Sequence, residues 1–196
     1  MAARGAHGKT ALLICGASGS IRADHALKPA IMAAPHPRSP TLDLLLPDEA
    51  ATAALARRVA ACCRAGDVIA LYGDLGTGKT VFARAFIAAL DSGGEPEDVP
   101  SPTFTLVQCY EREPAPVWHF DLYRISRPDE VYELGFEEAL GEAISLIEWP
   151  ERMGPLLPAD RLEVHLAYGE TASARQAVLV GAGAWDVRLS ELSRND

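Results

Sequence analysis

Eight consecutive residues carry the clearest chemistry in this sequence: Gly73-Asp74-Leu75-Gly76-Thr77-Gly78-Lys79-Thr80. The glycines let a backbone wrap closely around an anion, and successive N–H groups together with the positive end of a following helix meet its charge. Lys79 adds a full positive charge at the reach of the β and γ phosphates of a nucleotide. The Thr80 hydroxyl supplies an oxygen for Mg²⁺, a hard cation that prefers oxygen ligands and bridges terminal phosphates. The letters fit GxxxxGK[ST], a pattern expected by chance on the order of once in a hundred chains of this length. An upstream Gly8-Lys9-Thr10 does not qualify, because Ala3 stands where the first glycine must be.

Such a loop needs a carboxylate at the end of a neighbouring strand to hold or orient the metal. Two are available: Asp121 closes the apolar run Val117 to Phe120, and Glu148 closes Ile144 to Ile147. Two carboxylates permit two roles, one near the metal and one positioning water. Neither is diagnostic alone, since solvated strand ends commonly carry Asp or Glu. His119, on an apolar strand, reads as a hydrogen-bonded structural histidine rather than a base. Trp149 reads equally as core or as a wall of the site, and Cys62 and Cys63 as small apolar helix residues.

The elements that must position these groups follow from the apolar pattern. Leu42 to Leu46 predict a first strand, and Pro47 and Asp48 open a helix carrying Leu55, Val59 and Cys62 or Cys63 at helical spacing, ended by Gly66. Val68 to Tyr72 is continuously apolar, as in a strand buried on both faces of a parallel sheet, and it runs directly into the glycine loop. A helix is predicted over Val81 to Leu90. Further strands are predicted at Phe104 to Tyr110, Val117 to Leu122, Ala143 to Ile147, Leu162 to Ala167 and Ala177 to Val180, with a helical stretch at Asp129 to Leu140. The order predicts an α/β fold, a mostly parallel central sheet flanked by helices with an antiparallel extension. The strand–GxxxxGKT–helix context is the one a phosphate loop requires.

Composition sets the outer limits. A chain of 196 residues is sized for one domain plus tails, and 48% hydrophobic with 23% charged residues is ordinary globular composition. The 27 acidic residues outnumber the 18 basic ones, giving a net charge of −9, so no broad cationic face is expected for a nucleic-acid backbone. Cys15, Cys62, Cys63 and Cys109 form no CxxC pair, which excludes a recognisable zinc site or disulfide framework and predicts a cytoplasmic protein. No apolar run is long enough for a membrane span. Arg4 and Lys9 precede Ala11 to Cys15 in the manner of a signal peptide, but Gly16, Ser18 and Gly19 cut that run short.

Four segments stand in order: GDLGTGKT at 73–80, SPTFTL at 101–106, HFDLYR at 119–124 and IEWPE at 147–151. Together, and with Gly135-Phe136-Glu137-Glu138 between them, they closely resemble the TsaE (YjeE) family, P-loop ATPases of bacterial tRNA threonylcarbamoyladenosine synthesis. The resemblance spans Thr41 to Tyr168. It implies a P-loop NTPase-like fold and an ATP- and Mg²⁺-dependent ATPase, slow by itself. Its partners would be TsaD and TsaB-like subunits, with tRNA met only indirectly through that complex. Gly73, Asp74, Leu75, Gly76, Thr77, Gly78, Lys79 and Thr80 would bind nucleotide. Lys79, Asp121 and Glu148 would be catalytic, with Thr80, Glu148 and Asp121 around the metal; whether Asp121 serves the metal or the attacking water stays open. Thr103 would occupy a switch-like position near the γ-phosphate, and Thr52 would lie near the base. The composition along the chain, without sustained period before Thr41 and with Pro29, Pro35, Pro37 and Pro40 crowded together, predicts a disordered extension at 1–40, with the ATPase domain at 41–182 and a tail at 183–196. Departures are the long leading segment, Val81 in place of a threonine, and the Ala- and Gly-rich stretch after Tyr168.

Two other functions compete. A small-molecule P-loop kinase would need an acceptor pocket and an arginine-bearing lid, for which only Arg124 and Arg127 offer themselves. A nucleotide-gated adaptor would bind without turnover.

Overall fold

The computed structural model describes residues 41–90 and 105–195. Strand β1 (Thr41–Leu46) leads into helix α1 (Glu49–Ala60), whose start is fixed by Asp48 accepting the Ala51 N–H at 2.8 Å. Glu49 in its first turn and Arg57 and Arg58 in its last complement the helix dipole. Strand β2 (Val68–Tyr72) then passes through the glycine loop into α2 (Lys79–Ala89). The chain continues through β3 (Val107–Tyr110), β4 (Val117–Asp121), α3 (Phe136–Glu142) and β5 (Ile144–Glu148). It closes with the hairpin β6 (Arg161–Tyr168) and β7 (Arg175–Ala182), followed by α4 (Trp185–Leu192).

The seven described strands form one sheet in the order β1-β7-β6-β2-β5-β4-β3. The middle four, β6, β2, β5 and β4, are mutually parallel, while β7 with β1 and, at the other edge, β3 are antiparallel additions. The expected mixed architecture is therefore present, with antiparallel strands at both edges. All five residues of β5 are buried, the burial expected of a central parallel strand covered on both faces. Alternation divides the core. Ile69, Leu71, Ile144 and Leu146 pack with Leu55, Val59, Phe82 and Phe86, whereas Val68, Phe120 and Ile147 pack with Leu122, Val131, Phe136 and Met153.

Three sequence-based boundaries change. The helix read at Asp129 to Leu140 is a 3₁₀ helix (Pro128–Leu134) followed by α3, because Gly135 takes a left-handed φ of 78° that ends the first and starts the second. Strand β3 begins at Val107, and Phe104 lies outside the described residues. The tail read at 183–196 is instead α4 and a closing 3₁₀ turn (Ser193–Asn195). Trp185, Leu189 and Leu192 are buried in the α1/α2 side of the core, so the domain runs past 182. Arg188 fastens this helix with a bidentate pair to Asp67, at 2.5 and 2.7 Å, and with a bond to the Cys62 carbonyl. The extension read at 1–40 lies outside the described residues.

Candidate active site

The register of the parallel strands assembles the site. Leu71 on β2 pairs with Glu148 on β5, and Glu148 pairs with Asp121 on β4, so the loop after β2 and both carboxylates share the carboxyl end of the sheet. Open α/β sheets bind ligands at this edge. Gly73 turns the chain with φ 139°, and a Cβ there would collide with the Leu166 carbonyl oxygen and the Thr77 hydroxyl. The Thr77 N–H and hydroxyl both bond to the Asp74 carbonyl, at 3.3 and 2.8 Å, which closes the turn. Gly78, with φ 103°, starts α2 without a side-chain cap, and the first turn carries no acidic residue. That helix end presents N–H groups and positive dipole without a counter-charge of its own, the condition for binding an anion.

Lys79 is almost wholly buried. Its ammonium donates to the Gly73 and Asp74 carbonyls at 2.6 and 2.9 Å and lies 3.8 Å from the centre of the Trp149 ring. Burial lowers its pKa, and the nearby carboxylates of Glu148, Glu151, Asp121 and Asp74 oppose that shift. Trp149 is itself held in the left-handed region at φ 60°, a conformation costly for a bulky residue. In this conformation its ring lies against Lys79 and beside Tyr123, 4.9 Å away between centroids. Trp149 thus does both things the sequence left in balance: its ring lies against Lys79, and it packs partly buried against the core cluster that contains Phe120, Phe136 and Met153.

Thr80 donates its hydroxyl to Glu148 Oε2 at 3.0 Å, and the other carboxylate oxygen meets His119 Nε2 at 3.0 Å. Glu148 is 2% exposed and His119 0%. The histidine serves as the structural partner anticipated for it, here orienting a carboxylate. Asp121 Oδ1 accepts the Tyr123 N–H at 3.2 Å. Burial raises the Asp121 pKa, the Tyr123 N–H opposes this, and the Glu148 charge adds to it. Thr80, Glu148 and Asp121 form an all-oxygen donor set next to a phosphate loop, which fits Mg²⁺ in chemical type.

The structure therefore brings Gly73 to Thr80, Asp121 and Glu148 together. Thr52 is buried in the first turn of α1, where its hydroxyl bonds back to the Asp48 carbonyl at 3.4 Å, so its local geometry gives it a role within the helix. Thr103 lies outside the described residues; Leu106, just beyond it, accepts the Asp121 N–H through its carbonyl at 2.9 Å. Sequence reasoning missed Tyr168 and Arg175. Tyr168 donates its hydroxyl to the Leu75 carbonyl at 2.7 Å, and Arg175 donates to the carbonyls of Thr77 and Gly76 at 3.1 and 3.2 Å. No local motif marks them; only the pairing of β6 with β7 brings them side by side.

A mostly parallel sheet with a strand–glycine loop–helix at its carboxyl edge defines a P-loop NTPase-like fold. The description "Threonylcarbamoyl adenosine biosynthesis protein TsaE" matches residues 46–177. The chain belongs to the TsaE family. A tRNA threonylcarbamoyladenosine biosynthesis protein TsaE from Rickettsia felis is 44% identical over 123 residues, covering 63% of this chain and 71% of the relative. The corresponding protein of Bacillus subtilis is 34% identical over 146 residues, covering 74% and 89%. The crystal structure of Bacillus subtilis YdiB superposes with a TM-score of 0.65 at 28% identity, covering 81% of this chain and 97% of that one. Among the described residues no helix is long and apolar enough to cross a membrane.

Proposed function

We propose that this protein acts in tRNA threonylcarbamoyladenosine biosynthesis as a Mg²⁺-dependent ATPase, activated by TsaD and TsaB-like partners and sustaining repeated turnover of their complex. Membership of the TsaE family supports the pathway. The observation that carries the ATPase reading is the junction of the loop with the carboxylate pair: Thr80 bonded to Glu148, and Asp121 beside it in register. In this reading the loop N–H groups and the end of α2 bind the phosphates. Lys79 exchanges its bonds to the Gly73 and Asp74 carbonyls for phosphate oxygens, while Trp149 limits water around its charge. Thr80, Glu148 and Asp121 would hold Mg²⁺, which when bound neutralises charge developing on the phosphates. His119 would keep Glu148 oriented, and Asp121 would take a water proton or share the metal.

The test is phosphate release from Mg·ATP by the purified protein, alone and with a matched TsaD and TsaB pair, with Lys79→Ala as control. Partner-dependent release that the variant loses is the expected result. Nucleotide binding and complex formation without release would replace the ATPase by a nucleotide-gated adaptor, and a phosphorylated acceptor would replace it by a kinase.

A further inference from the structure

The outer side of the phosphate loop is held by the β6–β7 hairpin. Tyr168 and Arg175 are direct cross-strand partners, and the Arg175 guanidinium sits 4.9 Å from the centre of the Tyr168 ring. From that platform Tyr168 takes the Leu75 carbonyl, while Arg175 takes those of Gly76 and Thr77 and also anchors to Ala172 and Ala174 in its own hairpin. Ser173 at the hairpin tip bonds to the Pro47 carbonyl, so the platform is braced against the start of α1. A Cβ on Gly76 would stand 2.8 Å from the Tyr168 hydroxyl oxygen, so the ring lies close against the loop.

A trans peptide is planar, and its C=O points opposite to the N–H of the next residue. Holding the carbonyls of Leu75, Gly76 and Thr77 outward therefore directs the N–H groups of Gly76, Thr77 and Gly78 inward. Thr77 spends its N–H on the Asp74 carbonyl, which leaves the Gly76 and Gly78 N–H directions set for an anion. We propose that Tyr168 and Arg175 are positioning residues for nucleotide binding, a strut that aims the loop's N–H groups by fixing the carbonyls behind them. The proposal rests on the nucleotide-binding reading above. A lysine cannot replace the arginine, because one ammonium cannot span the loop carbonyls and the hairpin carbonyls at once, as a planar guanidinium with five donors does.

The experiment compares the parent with Arg175→Ala, Arg175→Lys and Tyr168→Phe by amide hydrogen exchange without nucleotide, melting without nucleotide, and calorimetric MgATP binding. Arg175→Ala is expected to speed exchange across Gly73–Gly78 and to weaken MgATP binding about tenfold, equivalent to about 1.4 kcal/mol. Melting without nucleotide should stay close to the parent, since the carbonyls released can turn to water. Arg175→Lys should not restore affinity, and Tyr168→Phe, which keeps the ring under the guanidinium, should show a smaller loss. Parent-like exchange and affinity in Arg175→Ala would overturn the strut, as would an affinity loss that merely tracks a fall in global melting. If the parent itself fails to bind MgATP, the nucleotide reading falls, and the exchange of Gly73–Gly78 alone then decides the strut.

Discussion

Replacing Glu148 separates its part in the fold from its part in the chemistry. Glu148 Oε2 accepts from Thr80 and Oε1 lies 3.0 Å from His119 Nε2, while His119 Nδ1 is buried without a hydrogen-bond partner among the described residues. Glu148→Ala strips both bonds at a site 2% exposed. At about 1–3 kcal/mol for each buried group left unsatisfied, plus the space vacated, the loss is about 4 kcal/mol. In a domain of this size that lowers the melting temperature by about 8–16 °C. Glu148→Gln keeps the shape: its carbonyl oxygen accepts from His119, and its NH₂ donates to the Thr80 hydroxyl, which turns to accept. Two charge-assisted bonds become neutral, but a buried charge beside Asp121 disappears, so stability should stay within about 1 kcal/mol of the parent. Mg²⁺-dependent phosphate release should nevertheless be lost while nucleotide binding persists. Thermal melts by circular dichroism and phosphate release at limiting Mg²⁺ read the two effects separately. A glutamine variant melting as low as the alanine one would make the charge part of the fold, and one with parental release would remove Glu148 from the metal.

Lys79→Ala should lower the melting of the nucleotide-free protein only modestly, because the lost bonds to the Gly73 and Asp74 carbonyls are offset by removing a charge whose burial is unfavourable, and it should remove the stabilisation by ATP. At 100 times the parental Kd that stabilisation is about 2.7 kcal/mol, and a persisting ATP-induced shift would refute the assignment. Asp121→Asn tests the raised carboxyl pKa, whose first cause is burial. An acid with a folded pKa above its unfolded one gives the fold stability that is fully present below the unfolded value and is lost as pH rises through the folded value. The asparagine, which still accepts the Tyr123 N–H, should therefore melt at or above the parent at pH 7 and lose that advantage in acid, while hydrolysis falls. A variant less stable than the parent at pH 7 would contradict this sign. Ending the chain after Ala182 should cost at least about 4 kcal/mol, from the buried side chains of Trp185, Leu189 and Leu192 alone, and denaturant titration would detect it. A truncated protein as stable as the parent would return this segment to the status of a tail.

The sequence by itself determined the groups whose chemistry is local. Gly73 to Thr80 could be read because a phosphate loop is contiguous: its glycines, lysine and threonine must lie at fixed offsets between a buried strand and a helix. Asp121 and Glu148 could be read as strand-end carboxylates for the same reason, and the apolar run Val68 to Tyr72 announced a strand covered on both faces. The rest depended on which strands became neighbours. Placing β5 between β2 and β4 set Glu148 against Thr80 and His119, and only that placement gave His119 its partner. The left-handed turn that puts Trp149 under Lys79 leaves no sign in a residue type that ordinarily avoids such a conformation. Tyr168 and Arg175 brace a loop about ninety or more positions away in the chain, through carbonyls that any residue type offers. Trp185, Leu189 and Leu192 formed too short a pattern to distinguish a tail from a packed helix, because a helix of about two turns gains its stability from the surface it buries. Contiguous chemistry is written in residue order, whereas contacts made through backbone atoms and across strands exist only once the sheet has chosen its order.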